Sequence, residues 1–342
     1  MRLFFVVIAV FLLLGCTGGE QPPPQNVTNE TNETPKPPPI DIIIGNQTNQ
    51  TQIQNQTEEP EPEPEPIKKE LDYTYEPEQI FGIFFFDVGG PGLHGDAILI
   101  KKGDMDILVD AGSAEMSERT IDYLRSRSVD DIEVLVSTNA DPRHYGGIAA
   151  VAERYKIEEL WWSGESFGDN AYAALMENVS GSVKTARVVE RGYSADLNGM
   201  NFTVLNPQNT QRFEDVNNDA IVMRVVDRNF SLLLTSGIQT GAQGRLVNEE
   251  TSLIQTDVMQ APYYGVGAGT SNIGIFLITA KPDAVIVSGS SDESAPNGGS
   301  REPFERLLKQ YEIEEYKNYV NGTLRITSNG DNYTIMELGS GQ

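Results

Sequence analysis

The sequence predicts one layered α/β domain over residues 80–342, behind a leader and a polar stalk. Strand-like runs come first in this region, and alternating strand and helix patterns follow, which is the order expected of a layered α/β domain. Its length suffices for one large domain with its own core. Residues 17–79 are rich in Pro, Thr, Asn, Gln and Glu and cannot bury enough apolar surface to offset the entropy of ordering. The expected fold class is therefore α/β, preceded by a disordered stalk.

The first residues have the pattern of an export signal. Arg2 is followed by twelve apolar residues, 3–14, whereas a membrane-spanning helix needs about 20. Residues 1–15 are therefore predicted to be a signal peptide. Residues 13–16 read Leu-Leu-Gly-Cys and resemble a lipobox, which predicts that Cys16 is lipidated and anchors the protein to the outer face of the cytoplasmic membrane. The alternative is an ordinary signal peptide that happens to carry the only cysteine of the chain.

Residues 16–79 are predicted to be a lipid-anchored stalk that displays the domain at the cell surface. Its prolines and repelling glutamates favour extended conformations. The tract also carries six Asn-x-Thr sequons, typical of a glycosylated, extracellular and archaeal surface protein. The alternative is a simple low-complexity linker. The sequon asparagines are Asn26, Asn29, Asn32, Asn46, Asn49 and Asn55. Five further sequons fall within the domain, at Asn178, Asn201, Asn229, Asn321 and Asn332.

The charge of the chain restricts its partners. The formal net charge is −25, and no run of Lys or Arg is present. General nucleic-acid binding depends on basic patches that contact phosphates, so this class of function is not expected. One small anionic ligand in a locally positive pocket remains compatible with the composition.

Within the domain, apolar runs predict strands and apolar stripes at helical spacing predict helices. Several strands are continuously apolar, as expected when a sheet is covered on both faces. The predicted strands are Phe81–Phe86, Ala97–Lys101, Met105–Val109, Ile132–Val136, Phe202–Leu205, Ile221–Val226, Phe230–Leu234, Val258–Gln260, Ala284–Val287, Leu324–Thr327 and Tyr333–Leu338. The helical stripes are Ile148/Val151/Ala152/Tyr155, Tyr172/Leu175/Met176/Val179 and Phe304/Leu307/Leu308/Tyr311, and their Met and aromatic members are predicted to lie in the core.

Five segments, read in order, resemble a known superfamily. They are Phe-Asp-Val-Gly at 86–89 leading to Gly-Asp-Ala at 95–97, Ile-Leu-Val-Asp-Ala-Gly at 107–112, the loop 136–147, Leu-Leu-Thr-Ser-Gly-Ile at 233–238, and Gln-Ala-Pro-Tyr-Tyr-Gly at 260–265. Together they resemble the metallo-β-lactamase superfamily, in particular the ComEC-like domain of DNA-internalisation competence proteins. The resemblance implies a four-layer αββα sandwich with its site at one edge, where the strand-end loops meet. It also implies two metal ions that activate water to hydrolyse esters, amides or phosphodiesters.

Most positions that hold metal in that superfamily are changed in this chain. Asn139 stands in place of the first histidine of the metal loop, and Arg143 in place of its second aspartate. The bridging aspartate of the later segment corresponds to Gly237, and the family's Pro-His-His-Gly reads Pro-Tyr-Tyr-Gly at 262–265. A zinc site needs three or four donor groups, and neither a glycine nor a guanidinium can supply one. Only two ligand positions match, Asp141 and His144.

The sequence therefore predicts a non-catalytic binding or assembly module without a cofactor, in which Arg143 supplies charge in place of a metal. An arginine beside two phenols suits an anionic or sugar-like ligand. The predicted ligand pocket contains Asn139, Asp141, Arg143, His144, Tyr263 and Tyr264. Three aspartates, Asp87, Asp96 and Asp110, are expected to brace loops.

Two alternatives stay open. The chain has two histidines, and His94 could join Asp141 and His144 around one zinc or manganese ion in a metal-dependent, phosphodiesterase-like hydrolase. The domain could instead be a purely structural partner in a membrane complex.

Overall fold

The computed structural model describes residues 81–267, 272–291 and 295–339. The predicted signal peptide, Cys16 and the stalk with its six sequons lie outside the described residues and stay predictions. In chain order the strands are β1 (Phe81–Phe85), β2 (Ile98–Lys102), β3 (Met105–Val109), β4 (Ile132–Ser137), β5 (Ile157–Trp162), β6 (Thr185–Val188), β7 (Ser194–Leu197), β8 (Met200–Asn206), β9 (Val222–Asp227), β10 (Phe230–Leu234), β11 (Val258–Gln260), β12 (Ala284–Val287), β13 (Glu314–Lys317), β14 (Leu324–Ser328) and β15 (Tyr333–Glu337). The helices are α1 (Ser117–Ser126), α2 (Pro142–Tyr145), α3 (Ile148–Arg154), α4 (Asn170–Ser182), α5 (Thr240–Glu249), α6 (Gly274–Ala280), α7 (Glu302–Gln310) and α8 (Asn318–Asn321).

The strands form two sheets. The first has the order β15-β14-β1-β2-β3-β4-β5-β6, and the second has the order β13-β12-β11-β10-β9-β8-β7. Strands β3 to β6 are parallel to one another, and so are β10 to β13. Because the carboxyl ends of parallel strands point the same way, their following loops gather at one edge of each sheet. In the part of the chain that the structure describes, we find no helix long and apolar enough to cross a membrane.

Three apolar layers hold the sheets and helices together. The largest lies between the two sheets and contains side chains such as Phe85, Trp161 and Phe202. A second layer lies between the first sheet and α1, α3 and α4. A third lies between the second sheet and α5, α6 and α7. The order helix, sheet, sheet, helix confirms the predicted αββα sandwich.

All of the predicted strands are present, with ends that differ by no more than two residues. The strands that the sequence analysis missed are mainly edge strands, whose outer faces need no apolar residue. β13, for example, reads Glu-Glu-Tyr-Lys and is only partly buried. Inside the first sheet, β5 was hidden by Glu159, a buried carboxylate that accepts a hydrogen bond from Trp161 Nε1 (2.6 Å) and pairs with Arg187. Core placement was wrong for Tyr311, which follows the last turn of α7 and is 38% exposed.

One ion pair is completely buried between the two sheets. Lys102, the last residue of β2, donates from Nζ to Asp227 Oδ1, the last residue of β9, at 2.8 Å. Both side chains are inaccessible to solvent. The Asn198 carboxamide donates to the Lys102 carbonyl at 2.8 Å. A buried ion pair therefore connects the two sheets at the carboxyl-terminal end of β2.

Two buried carboxyl groups lie side by side on β3 and β4. Asp106 accepts from Lys101 Nζ with both oxygens at 2.7 Å, and its backbone N–H donates to Glu133 Oε2 at 2.7 Å. Burial raises the pKa of Glu133 to about 7 and the pKa of Asp106 to about 6. Lys101 pairs with Asp106, whereas Glu133 keeps its proton to a higher pH than an exposed glutamate does.

Glu133→Gln is expected to flatten the pH dependence of stability. The pKa of Glu133 is higher in the folded chain than its ordinary value of 4.5. Its ionisation therefore destabilises the fold, and stability present below about pH 4.5 is lost as the pH rises through about 7. Between these limits wild type should lose about 2–3 kcal/mol more than the variant, as urea titrations can measure. Glu153→Gln, on the exposed face of α3, should follow wild type. If the free energy of unfolding changed with pH equally in wild type and in Glu133→Gln, the expectation would be wrong.

Candidate functional site

The site lies where the loops after β3, β4, β10 and β11 meet. Gln260, at the end of β11, ties two of these loops because its Oε1 accepts from the backbone of Thr235 (3.0 Å) and Ser236 (2.9 Å). Ser236 Oγ lies 2.6 Å from Thr138 Oγ1, in the loop after β4. The contact between Ser236 and Thr138 crosses from one sheet to the other, and together these buried bonds form the floor of the site.

Asp110, immediately after β3, is the acceptor at the centre of this floor. Its Oδ1 accepts from the Thr138 backbone N–H at 2.8 Å, and its Oδ2 accepts from Thr138 Oγ1 at 2.6 Å. The same Oδ2 lies 2.8 Å from His144 Nδ1. Asp110 has a φ of 58°, a left-handed conformation that carbonyl and carboxylate contacts must stabilise. It braces loops, as the sequence analysis expected.

Both ring nitrogens of His144 are hydrogen-bonded within the protein. Nδ1 faces Asp110, and Nε2 lies 3.1 Å from the Tyr264 hydroxyl. Asp96 Oδ2 is 3.7 Å from Nδ1, and the imidazole is buried. Burial alone would lower the pKa of His144, but the carboxylates of Asp110 and Asp96 outweigh it and raise that pKa. The ring is thus held beside carboxylates that favour its protonated form.

Both carboxylate oxygens of Asp141 accept hydrogen bonds from Arg143. Asp141 caps α2, with Oδ1 accepting from the Arg143 backbone N–H (2.9 Å) and from Arg143 Nε (2.8 Å). Its Oδ2 accepts from Arg143 Nη2. Burial would raise the pKa of Asp141, yet the hydrogen bonds from Arg143 overcome this and hold the pKa below its usual value. The side chains of Asp141 and Arg143 remain 14% and 23% exposed, so this pair is the accessible part of the site.

The two tyrosines occupy a strained segment. Tyr263 and Tyr264 have φ values of 46° and 58°, which bulky residues rarely adopt. The Tyr263 N–H donates to Ser236 O at 3.0 Å, and Arg301 Nε donates to Tyr264 O at 2.9 Å. The Arg143 guanidinium lies 5.5 Å and 5.4 Å from the centres of the two phenol rings. The rings therefore fill the space beside His144 and form one wall for Arg143.

Gly237 leaves room for Asn139. A β-carbon at position 237 would lie 2.7 Å from Asn139 Nδ2 and 2.9 Å from Asn217 Oδ1, both too close for any real side chain. Asn139 is itself fixed, because its Oδ1 accepts from the Asp141 N–H at 2.9 Å. The place of the superfamily's bridging aspartate is thus taken by carboxamides.

The structure brings the six predicted pocket residues together, although most of them are buried. The ring of His94 lies 5.5 Å from the ring of Tyr264, so Tyr264 contacts both histidines. Across residues 81–267, 272–291 and 295–339, no three His, Cys, Asp or Glu side chains are arranged to hold a metal ion. Asp87 lies apart from these groups and pairs with Arg119 at 2.6 Å. Binding of a ligand in this pocket, and the His94-containing metal site, both stay predictions.

The donors present do not fit the metal centre that the fold implies. Asp141 is committed to an arginine, His144 offers no unbonded nitrogen, and Gly237 has no donor at all. Sequence reasoning gave no role to three groups that shape the site: Gln260, Ser236 and Arg301. Gln260 and Ser236 lie inside the quoted motifs, but Arg301 gave no local signal because it reaches the site from the start of α7.

Comparisons with known proteins agree with this architecture. No family model matches the chain. Competence protein ComA of Neisseria gonorrhoeae is 25% identical over 213 residues, which is 62% of this chain and 27% of that protein. ComE operon protein 3 of Bacillus subtilis (strain 168) is 20% identical over 208 residues, which is 60% of this chain and 26% of that protein. The chain thus spans about a quarter of the length of these curated relatives.

A solved structure supports the fold independently. The metallo-β-lactamase fold protein YhfI from Bacillus subtilis superimposes with a TM-score of 0.52 at 10% identity, covering 73% of this chain and 100% of that one. At this identity the likeness concerns the fold alone. The described residues therefore have the metallo-β-lactamase fold, and their sequence resembles the competence proteins of the ComEC type.

Proposed function

We propose that this domain is a non-catalytic binding or assembly module, displayed at the cell surface on a lipid-anchored stalk. The observation that carries the proposal is the state of the two matched ligand positions. Both oxygens of Asp141 accept from Arg143, and both nitrogens of His144 are bonded to Asp110 and Tyr264. A metal ion would have to break these bonds before it could be bound.

The balance of charges in the site also supports a non-catalytic function. Asp96, Asp110 and Asp141 gather in a small volume, where a divalent cation would neutralise them in an active relative. Here Arg143 and the cationic His144 supply positive charge at hydrogen-bonding distance. Buried carboxylates need such partners, because an unpaired buried charge is costly.

The accessible groups suggest which ligands could bind. Arg143 is the exposed cation of the site and lies against the faces of Tyr263 and Tyr264. A guanidinium beside aromatic rings suits a carboxylate, a phosphate or a sugar. The names of the relatives suggest a setting in DNA uptake, where the domain would assemble with a membrane complex. The acidic charge of the chain argues against direct binding of nucleic acid.

Metal analysis tests the proposal. After dialysis we expect far less than one equivalent of zinc, manganese or iron per purified chain, and no change of Tm on adding EDTA.

Arg143→Ala should lower the free energy of unfolding by about 1–3 kcal/mol. This lies between the values for exposed and buried ion pairs, because the pair with Asp141 is partly exposed. Arg125→Ala, which breaks the exposed pair with Asp122, should leave Tm unchanged.

A tightly bound metal ion would contradict the proposal. One tightly held metal per chain, lost in His144→Ala and accompanied by hydrolysis of a generic phosphodiester, would establish a rebuilt hydrolase site and reject the non-catalytic function.

A further inference from the structure

The five sequons within the domain differ sharply in structural context. In four of them the hydroxyl residue or the asparagine is engaged by the fold. Thr323, of the Asn321 sequon, is completely buried, and Ser231, of the Asn229 sequon, bonds to Asp257. Asn178 lies within α4, and Asn201 lies on β8 between two hydrogen-bonded neighbours. Modifying these asparagines in the folded protein would require a helix or a strand paired on both sides to open, or a buried or bonded hydroxyl residue to be released.

The fifth sequon, Asn332-Tyr333-Thr334, is presented differently. Asn332 and Thr334 are both exposed. Asn332 immediately precedes β15, an edge strand of the first sheet that pairs with β14 on one side and is unpaired on its other side within the described residues. The backbone of Asn332 is held by Asn329, whose Oδ1 accepts from the Asn332 N–H at 2.9 Å. Among the hydrogen bonds of the described residues, none involves the Asn332 carboxamide, which leaves its nitrogen accessible.

A polar depression of about 280 Å³ adjoins this asparagine. Its lining includes the carboxylates of Asp257, Asp283 and Asp331 and the ring of Tyr333. Asn229 lines it too, but the amide nitrogen of Asn229 donates to Asp331 Oδ1 at 2.9 Å. Carboxylates accept hydrogen bonds from sugar hydroxyls, and an aromatic ring packs against a sugar face. The depression is far larger than the roughly 30 Å³ that a water molecule occupies in the liquid. Its chemistry therefore suits the first sugars of an attached glycan.

We propose that Asn332 is the N-glycosylation site of the domain, with the first sugars seated in this depression. The donor would be a saccharide linked to a lipid phosphate. The Asn332 amide nitrogen forms a bond to the anomeric carbon, the bond from that carbon to the phosphate oxygen breaks, and one amide proton is lost as the lipid phosphate leaves. The inference rests on the export proposed above, because such donors act outside the cytoplasm.

Trypsin separates the domain sequons cleanly. Cleavage after Arg325 yields the peptide 326–342, whose single sequon is that of Asn332, whereas Asn321 lies in the peptide 318–325. The full-length protein is purified from its own cells and its peptides are measured by mass spectrometry. We expect a saccharide mass on 326–342 and on none of the other domain sequon peptides. Asn332→Gln and Thr334→Val should each remove it, while Asn329→Gln should retain it.

The outcomes separate this inference from the proposed export. An unmodified peptide 326–342 in a protein whose stalk carries glycans overturns the Asn332 site alone and leaves export intact. A chain without any glycan that fractionates with the cytosol overturns both. Modification of Asn229 or Asn201 in place of Asn332 would show that burial and strand pairing do not govern the choice of acceptor.

Discussion

Lys102→Met is expected to lower the melting temperature by on the order of 10 °C. The lysine and Asp227 are both inaccessible to solvent and pair at 2.8 Å between the two sheets. Removing one partner leaves the other charge buried and unpaired, which costs about 3–5 kcal/mol. In a domain of this size each kcal/mol shifts Tm by about 2–4 °C. Thermal unfolding followed by circular dichroism measures the effect.

A double variant shows whether the lost charge is the cause. Lys102→Met combined with Asp227→Leu removes both charges and fills the space with apolar atoms, so most of the lost stability should return. Lys101 provides the comparison on the same strand, because its ion pair with Asp106 is partly exposed. If Lys102→Met alone melts within a degree or two of wild type, the ion pair between Lys102 and Asp227 does not stabilise the fold.

Asp110→Ala should destabilise the domain by a comparable amount, about 3–5 kcal/mol. The substitution removes the acceptor for the Thr138 N–H, the Thr138 hydroxyl and His144 Nδ1 together. It also leaves His144 without its nearest carboxylate. Urea unfolding should show a lower midpoint, and the pKa of His144, followed by NMR, should fall because the largest influence that raises it is gone.

Asp104→Ala is the matched control, since Asp104 is exposed in the turn between β2 and β3. Its effect should stay within about 0.5 kcal/mol. The combination of normal stability with a lowered His144 pKa in Asp110→Ala would show that the carboxylate tunes the histidine without supporting the fold.

The sequence predicted the layers well because their signal is local. Continuous apolar runs such as that of β12 favour strands covered on both faces, and the structure covers this strand with helices on one side and the first sheet on the other. The ordered motifs also placed the site at the edge where the strand-end loops meet.

The details of the site depend on contacts between residues far apart in sequence, which no local pattern encodes. Asp141 and Arg143 are two residues apart, so their pairing could be anticipated. The bond from Tyr264 to His144 spans 120 residues and requires two consecutive left-handed tyrosines. The contact by which Arg301 supports that segment could not be predicted either. An arginine beside an apolar helical stripe is ordinarily expected to be exposed to solvent.

The space around Gly237 also constrains how this protein could change. A superfamily metal centre would require an aspartate there, yet its β-carbon would collide with the side chains of Asn139 and Asn217. Asn139 cannot simply swing away, because it is tied to the Asp141 backbone. An aspartate at position 237 would therefore require the carboxamides of both Asn139 and Asn217 to move. The residue at position 237 is therefore coupled to those at 139 and 217, so a change at one of these positions depends on which side chains stand at the other two.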